Sequence, residues 1–202
     1  ASDVYKRQVE GYEEIQANYG GVLDIVRCRE QGNEVSEGLK DAAGLLDASM
    51  KVKITNDMVS SATLLEIIST ATTGSDHIDR VEAENRSIPI RTLREDKDLL
   101  KNITPAAELT WALLLALATR LNPAVSHVKF GEWDRQQFPS IMLNGKVLGI
   151  IGCGRIGQWM ARYGQAFGMH VIGYDPKLEL WPDNLDKKDL QSVMMESDFV
   201  SF

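Results

Sequence analysis

The stretch Lys146 to Pro176, KVLGIIGCGRIGQWMARYGQAFGMHVIGYDP, limits what this chain can fold into more than any other. It opens on Val147-Leu148-Gly149-Ile150-Ile151, an apolar run short enough to be a buried parallel strand. Gly152, Gly154 and Gly157 follow as G-x-G-x-x-G. Ile156, Trp159, Met160, Tyr163 and Phe167 then recur at helical spacing, which places all five on one face. Gly168 sits where a glycine ends such a helix. A second strand is predicted over His170 to Tyr174, with Asp175 at its tip.

This order has a chemical meaning. A glycine at 152 permits a tight strand-to-helix turn, one at 154 lets a pyrophosphate reach the backbone, and one at 157 lets helix and strand pack closely. The helix N-terminus offers unpaired N–H groups and the positive end of its dipole to the phosphates. Asp175, eighteen residues after Gly157, is placed to accept both hydroxyls of an adenosine ribose. That carboxylate would repel a 2′-phosphate, and no arginine follows it directly, so NAD is favoured over NADP. A glycine-rich turn in some other α/β protein would not need strand, glycines, helix, second strand and acid in this order.

The rest of the composition narrows the class. The chain has 202 residues with 44% hydrophobic and 25% charged, which suits a soluble globular protein of one large or two small domains. A net charge of −7 argues against a nucleic-acid surface. Cys28 and Cys153 lack paired spacing, so neither a disulfide framework nor a metal site is expected, and Cys153 reads as a small filler in the turn. The longest apolar run, Trp111 to Ala118, is too short to span a bilayer, and with no membrane segment or signal peptide the cytoplasm is the expected compartment. The first eight residues, ASDVYKRQ, resemble a translated DNA-library adaptor and are expected to be a scar outside the fold. The missing initiator methionine and the stop at Phe202, in mid-strand by pattern, suggest a fragment.

Between these ends, helical and strand patterns alternate, which predicts an α/β fold. Helices are expected over Tyr12–Tyr19 and residues 34–40, and strands over Val22–Cys28, Ala43–Ala48, Leu64–Thr70 and Ile88–Leu93, with Asn56 as a helix N-cap. Thr70 to Asp79, TATTGSDHID, follows a strand end, the edge where open α/β sheets hold ligands. Gly74 there can expose backbone N–H groups to a carboxylate. His77 is the tempting catalyst, yet a histidine in a turn between two aspartates reads first as a hydrogen-bonded structural residue, and His127 and His170 have no constellation around them.

Thr104-Pro105 is a helix start, with threonine as N-cap and Glu108 near the first turn. Leu109 to Leu121 is almost wholly apolar, which predicts a helix buried on all sides at a domain junction, its N-terminal end facing the cleft. Asn144-Gly145 is a turn before the nucleotide strand. Lys177 to Asp186 reads as loop, Lys187 to Met195 as helix, and Ser197 to Phe202 as the third strand of the nucleotide sheet, with an unpaired edge.

Together, TTGSDHID (Thr72–Asp79), NITPAAELT (Asn102–Thr110), NGKVLGIIGCGRIG (Asn144–Gly157), GMHVIGYDP (Gly168–Pro176) and SDFVS (Ser197–Ser201) resemble the D-isomer-specific 2-hydroxyacid dehydrogenase family, 3-phosphoglycerate dehydrogenase-like. The resemblance covers nearly everything from Ala43 onward. It implies a flavodoxin-like substrate domain over residues 9–101, then a Rossmann NAD-binding domain over 102–202, truncated at its C-terminus. It implies that Thr73, Gly74 and Ser75 present backbone groups to the carboxylate of a small 2-hydroxy or 2-oxo acid, and that Asn102 lines the same cleft as a substrate-binding residue. Gly152, Gly154, Arg155, Ile156 and Gly157 would hold the pyrophosphate of NAD, and Tyr174, Asp175 and Pro176 the adenosine ribose. The family's catalytic arginine, glutamate and histidine would fall after Phe202, so no catalytic residue is expected here and the fragment should be inactive. Arg80 and Arg91 are candidates for a substrate phosphate, and a homodimer is implied, with Trp111 and Phe130 as possible contacts. A non-catalytic NAD-sensing protein of the same fold shares every motif present. An adenosylhomocysteinase-like enzyme fits the glycine turn but not TTGSDHID or NITPAAELT.

Overall fold

A computed structural model describes residues 2–28, 31–48 and 50–202, with the backbone alone for 2–10. The chain divides into two compact units between Leu100 and Lys101.

The first unit runs α1 (Ser2–Tyr19), α2 (Gly32–Leu39), β1 (Gly44–Asp47), α3 (Asn56–Ser61), β2 (Ile67–Thr70), α4 (Val81–Asn85) and β3 (Ile90–Thr92), with α5 (Lys97–Lys101) at the boundary. Its three strands are parallel in the order β1-β2-β3. Ile54, Val59, Leu65, Ile68, Ile78 and Ala83 are buried together around them. Two expectations need correction. Residues 22–28 form no strand, and Val22 and Val26 are exposed, because a β-branched run forms a strand only where a neighbour pairs with it. The cap of α3 is Thr55, not Asn56: Thr55 has extended backbone and its Oγ1 accepts the Met58 N–H. Asn56 already lies in the helix, and its Oδ1 accepts the Glu82 N–H of α4.

Arg86 closes this unit. Its Nη1 donates to the carbonyls of Val59 (2.6 Å) and Ala62 (3.0 Å), and its Nη2 to those of Thr63 (3.2 Å) and Leu65 (3.4 Å). One guanidinium thus gathers four carbonyls from the end of α3 and the turn before β2, of which those of Val59 and Ala62 also accept the Ala62 and Leu65 N–H groups.

The second unit runs α6 (Pro105–Ala118), α7 (Leu121–Lys129), β4 (Val147–Ile151), α8 (Arg155–Ala166), β5 (His170–Tyr174), β6 (Asp186–Lys187), α9 (Leu190–Glu196) and β7 (Phe199–Ser201). Its sheet is parallel in the order β6-β5-β4-β7. β4 and β5 fall on the residues expected. The strand at 199–201 is the fourth and not the third: the short β6 pairs outside β5, and β7 lies on the far side of β4. The strand order therefore reverses at β4, where open α/β sheets form a ligand crevice.

Helix α6 is not buried all round. Ala107, Trp111, Leu114 and Ala118 face the core, whereas Leu109, Leu113 and Leu117 are 63%, 63% and 66% exposed. A uniformly apolar sequence carries no direction, so the packing partners choose the face. They are aromatic: the Trp111 ring lies 5.9 Å from Tyr163 and 5.0 Å from Phe167 of the α8 segment. Trp111 is thus a core residue and unavailable as a surface contact, while Phe130 is exposed. The side chain of Thr104 also departs from expectation, since its Oγ1 donates to Glu108 Oε1 instead of capping the backbone.

Asp198 pins the approach to β7 onto the start of β4. Its Oδ2 accepts the Val147 N–H at 2.9 Å and its Oδ1 takes Lys146 Nζ at 3.1 Å. The Val147 N–H first, then Lys146, holds this carboxyl below the usual aspartate range. A depressed folded pKa contributes stability above the unfolded value and loses it as pH falls through the folded one. Asp198→Asn should therefore narrow the gap in melting temperature between pH 7 and pH 3; an unchanged gap would refute the tether. Arg86→Ala should lower unfolding free energy by about 2–3 kcal/mol, seen as an earlier urea midpoint, because four carbonyls lose a charged donor.

Candidate functional site

The glycine turn is built from β4 upward. Gly152 has φ +95°, a left-handed conformation that side chains rarely adopt, and it sends the chain sharply from strand to helix. Its N–H donates to Tyr174 O at 2.8 Å, which ties the turn to the end of β5. Gly154 is the N-cap residue of α8. A Cβ at 157 would sit 2.2 Å from Gly152 O and 3.1 Å from Ile150 Cγ2, so only glycine lets the helix start this close to the strand. The buried face of α8 is Gly157, Met160, Ala161 and Gly164. Of the face expected from spacing, Met160 is buried and Trp159 and Tyr163 pack at the core edge, while Ile156 stays partly exposed. The helix has two working faces, a small one on the sheet and an aromatic one toward α6.

Asp175 braces this turn. Its Oδ2 accepts the Cys153 N–H at 3.0 Å and its Oδ1 the Lys177 N–H at 2.8 Å. Both oxygens are thereby fixed in direction, and each keeps a second lone pair. Cys153 is fully buried, and burial first, then the Asp175 carboxylate, pushes its thiol up to about 11. It is an inert filler of the turn. Arg155 does not extend freely into solvent: its Nη1 donates to Ile103 O, just before α6.

Beside Asp175 lies an open pocket of about 530 Å³ lined by Tyr174, Asp175, Pro176, Leu178, Lys187, Lys188 and Asp189. Three of these were legible from the sequence. Lys187, Lys188 and Asp189 were not, because they enter on and directly after β6, a two-residue strand with no periodicity to read. Lys187 Nζ sits 5.2 Å over the Trp181 ring and Lys188 Nζ 3.0 Å from Glu196, so both cations have partners. The left-handed turn, the close approach at Gly157 and the braced carboxylate fit a dinucleotide: backbone donors at the helix start for the pyrophosphate, a fixed acceptor for the ribose.

In the first unit, Thr73, Gly74 and Ser75 stand together in the loop that follows β2. Thr70 and Thr72 share a hydroxyl bond of 2.8 Å, and Thr72 Oγ1 donates to Gly74 O at 2.6 Å. Ser75 is buried and its Oγ accepts Arg80 Nη2 at 2.5 Å. A Cβ on Gly74 would meet nothing nearer than Asp76 Oδ2 at 3.7 Å, so open space fronts its backbone. Asn102 lies exposed at the approach to α6, in the second unit. Arg80 is engaged with Ser75, and Arg91 pairs with Glu95 at 2.9 Å. His77 faces Asp47, whose Oδ2 lies 2.6 Å from its Nε2.

His127, expected to lack a constellation, has one: Nδ1 lies 2.7 Å from Glu132 Oε2, Nε2 accepts the Asp134 N–H at 3.0 Å, and Phe138 meets the ring edge at 5.1 Å. Short-range spacing hid it, since its partners lie on the irregular segment after α7.

Known proteins bear on both units. Residues 4–93 match the catalytic domain of D-isomer specific 2-hydroxyacid dehydrogenases, and residues 111–202 match the NAD-binding domain of the same family. A D-3-phosphoglycerate dehydrogenase of Methanocaldococcus jannaschii is 41% identical over 143 residues, 71% of this chain and 26% of that protein. A hydroxypyruvate reductase of Thermotoga maritima is 34% identical over 149 residues, 74% of this chain and 47% of that one. The D-lactate dehydrogenase of Aquifex aeolicus, solved with NAD and lactic acid, superposes with a TM-score of 0.67 at 29% identity, over 82% of this chain and 49% of its own. The chain thus spans between a quarter and a half of these relatives. With both of its units matched to successive domains of one family, the chain belongs to the D-isomer specific 2-hydroxyacid dehydrogenases.

Proposed function

We propose that this chain supplies the substrate domain and the opening half of the NAD site of an NAD-dependent oxidoreductase. The reaction moves hydride between C2 of a small 2-hydroxy acid and the nicotinamide. The observation that carries this reading is the braced glycine turn, in which Asp175 holds the Cys153 and Lys177 N–H groups beside the start of α8. Gly152, Gly154, Arg155, Ile156 and Gly157 meet the pyrophosphate, and Asp175, flanked by Tyr174 and Pro176, meets the adenosine ribose. Thr73, Gly74 and Ser75 receive the substrate carboxylate, and Asn102 is a further substrate-binding residue. The substrate domain takes residues 9–101 and the NAD-binding domain residues 102–202, a division supported by the compact units on either side of Leu100. Residues 1–8 remain assigned to an adaptor scar; the same codons in source DNA would refute that.

When bound, NAD supplies the hydride acceptor. This chain's own residues bind and orient it, and the family's catalytic arginine, glutamate and histidine are not among them, so we infer that the chain alone binds NAD without turnover. DNA beyond Phe202 that encodes an arginine, a glutamate and a histidine in the family's order would support a dehydrogenase. Other residues there would favour an NAD sensor. Asp175→Asn should weaken NAD binding about tenfold by titration calorimetry and pull the NAD-to-NADP preference toward unity. An unchanged preference would remove Asp175 from the ribose site.

We infer further that the protein is a homodimer through the ridge of Leu109, Leu113 and Leu117, which continues along the chain into exposed Leu121, Val125, Val128 and Phe130. Leu113→Glu should leave a monomer by sedimentation at a concentration where the unmodified chain is a dimer. Equal sedimentation of the two would overturn this interface.

A further inference from the structure

We propose that Asp47 and His77 form a clasp that holds the Thr72–Asp76 segment in the shape that receives a carboxylate, which makes His77 a positioning residue and not a proton carrier. The inference rests on the reading of Thr73, Gly74 and Ser75 as a carboxylate cradle.

Asp47 ends β1 and grips the segment at both ends. Its backbone carbonyl accepts the Ala71 N–H at 2.9 Å, and its Oδ2 lies 2.6 Å from His77 Nε2. The two side chains are only 10% and 8% exposed, so water competes little for this bond. The same carboxylate accepts the Met50 N–H at 3.3 Å, which fixes its direction from the other side. Behind the clasp, Ile54 N donates to His77 O at 2.9 Å and Asp79 N to Ile54 O at 2.8 Å, so the backbone at 77–79 is held separately. Between the grips, the segment's internal bonds run through side chains and carbonyls, Thr72 Oγ1 to Gly74 O and Arg80 to Ser75 Oγ. Among the described residues, the backbone N–H groups of 72–76 donate to no other protein group. Five consecutive donors are thus left without a protein acceptor in a loop anchored at its two ends, which is how a backbone anion site is made.

The imidazole is committed to that anchor. With Nε2–H donating to Asp47, Nδ1 is a buried acceptor with no partner among the described residues. A proton carrier needs a ring nitrogen that reaches substrate or water, and this ring offers neither.

The test is a double-mutant cycle on the ¹⁵N-labelled chain, titrated with D-lactate and followed at the amides of Thr73, Gly74 and Ser75. His77→Ala and Asp47→Ala should each weaken D-lactate binding about tenfold. The double variant should be no weaker than either single one, and His77→Gln, whose amide can donate to Asp47, should recover most of the affinity. Singles that bind within twofold of the original while melting earlier would reduce the pair to a fold-stabilising contact. Additive losses in the double variant would show that the two act separately, and would overturn the clasp. If D-lactate moves no amide of the original chain, the carboxylate reading fails instead. The clasp then stands on the resonances of residues 72–76, which both single variants must shift to a common set of positions; unmoved resonances would overturn it.

Discussion

How closely α8 lies against the end of β4 governs the second unit. At Gly157 a single methyl group would collide with the carbonyl of Gly152, and at Gly164 it would come within 2.9 Å of Leu148 and 3.1 Å of Val171. Because both contacts are with backbone or well-packed core, neither can give way cheaply. The helix axis is therefore fixed against the strand, and its first turn of N–H groups is fixed at the point where strand order reverses. Had the helix stood off by the usual side-chain layer, those donors would have been displaced from the turn that Gly152 makes. The aromatic contacts with Trp111 on the adjoining flank of the same helix hold α6 in place, so a single close approach sets both the ligand edge and the outer layer.

The two units solve one problem in the same way. Each must leave backbone donors unpaired at the C-terminal end of a parallel sheet without letting the loop collapse onto them. In the second unit the brace is Asp175, directly after β5, whose carboxylate spans from Cys153 N–H to Lys177 N–H. In the first it is Asp47, the last residue of β1, which reaches His77 and Met50. An aspartate suits the task because it is acceptor-only and short, so it can take two donors on different loops without offering the loop a donor of its own.

What was legible in the sequence was whatever repeated or punctuated. β4 and β5 read correctly to the residue, since short apolar runs closed by Gly152 in one and Asp175 in the other leave little freedom, and the G-x-G-x-x-G turn fell where its spacing put it. The unreadable parts share a cause: their structure comes from partners distant in sequence. Two-residue β6 exists only because β5 pairs with it, and Val22 to Cys28 fails as a strand for want of such a neighbour. The burial of α6 was misread because fourteen residues of near-uniform hydrophobicity do not say which side meets aromatic rings. Of the candidate site, Tyr174, Asp175 and Pro176 were readable and Lys187, Lys188 and Asp189 were not, for the same reason as β6.

The histidines show why composition alone is a poor guide to proton chemistry. His77 is bound to Asp47 through Nε2, with its other nitrogen buried. His127 accepts the Asp134 N–H on Nε2, which requires the proton on Nδ1, where it is donated to Glu132. His170 begins β5, at the opposite end of the strand from the glycine turn and Asp175. Two rings are thus locked in one tautomer by their bonds, and the third stands at the wrong edge of its sheet. A histidine that acts as general acid or base needs a ring nitrogen that can exchange its proton at the ligand edge. What the two units share is a parallel sheet whose C-terminal strand ends carry an aspartate-braced loop, Asp47 in the first and Asp175 in the second.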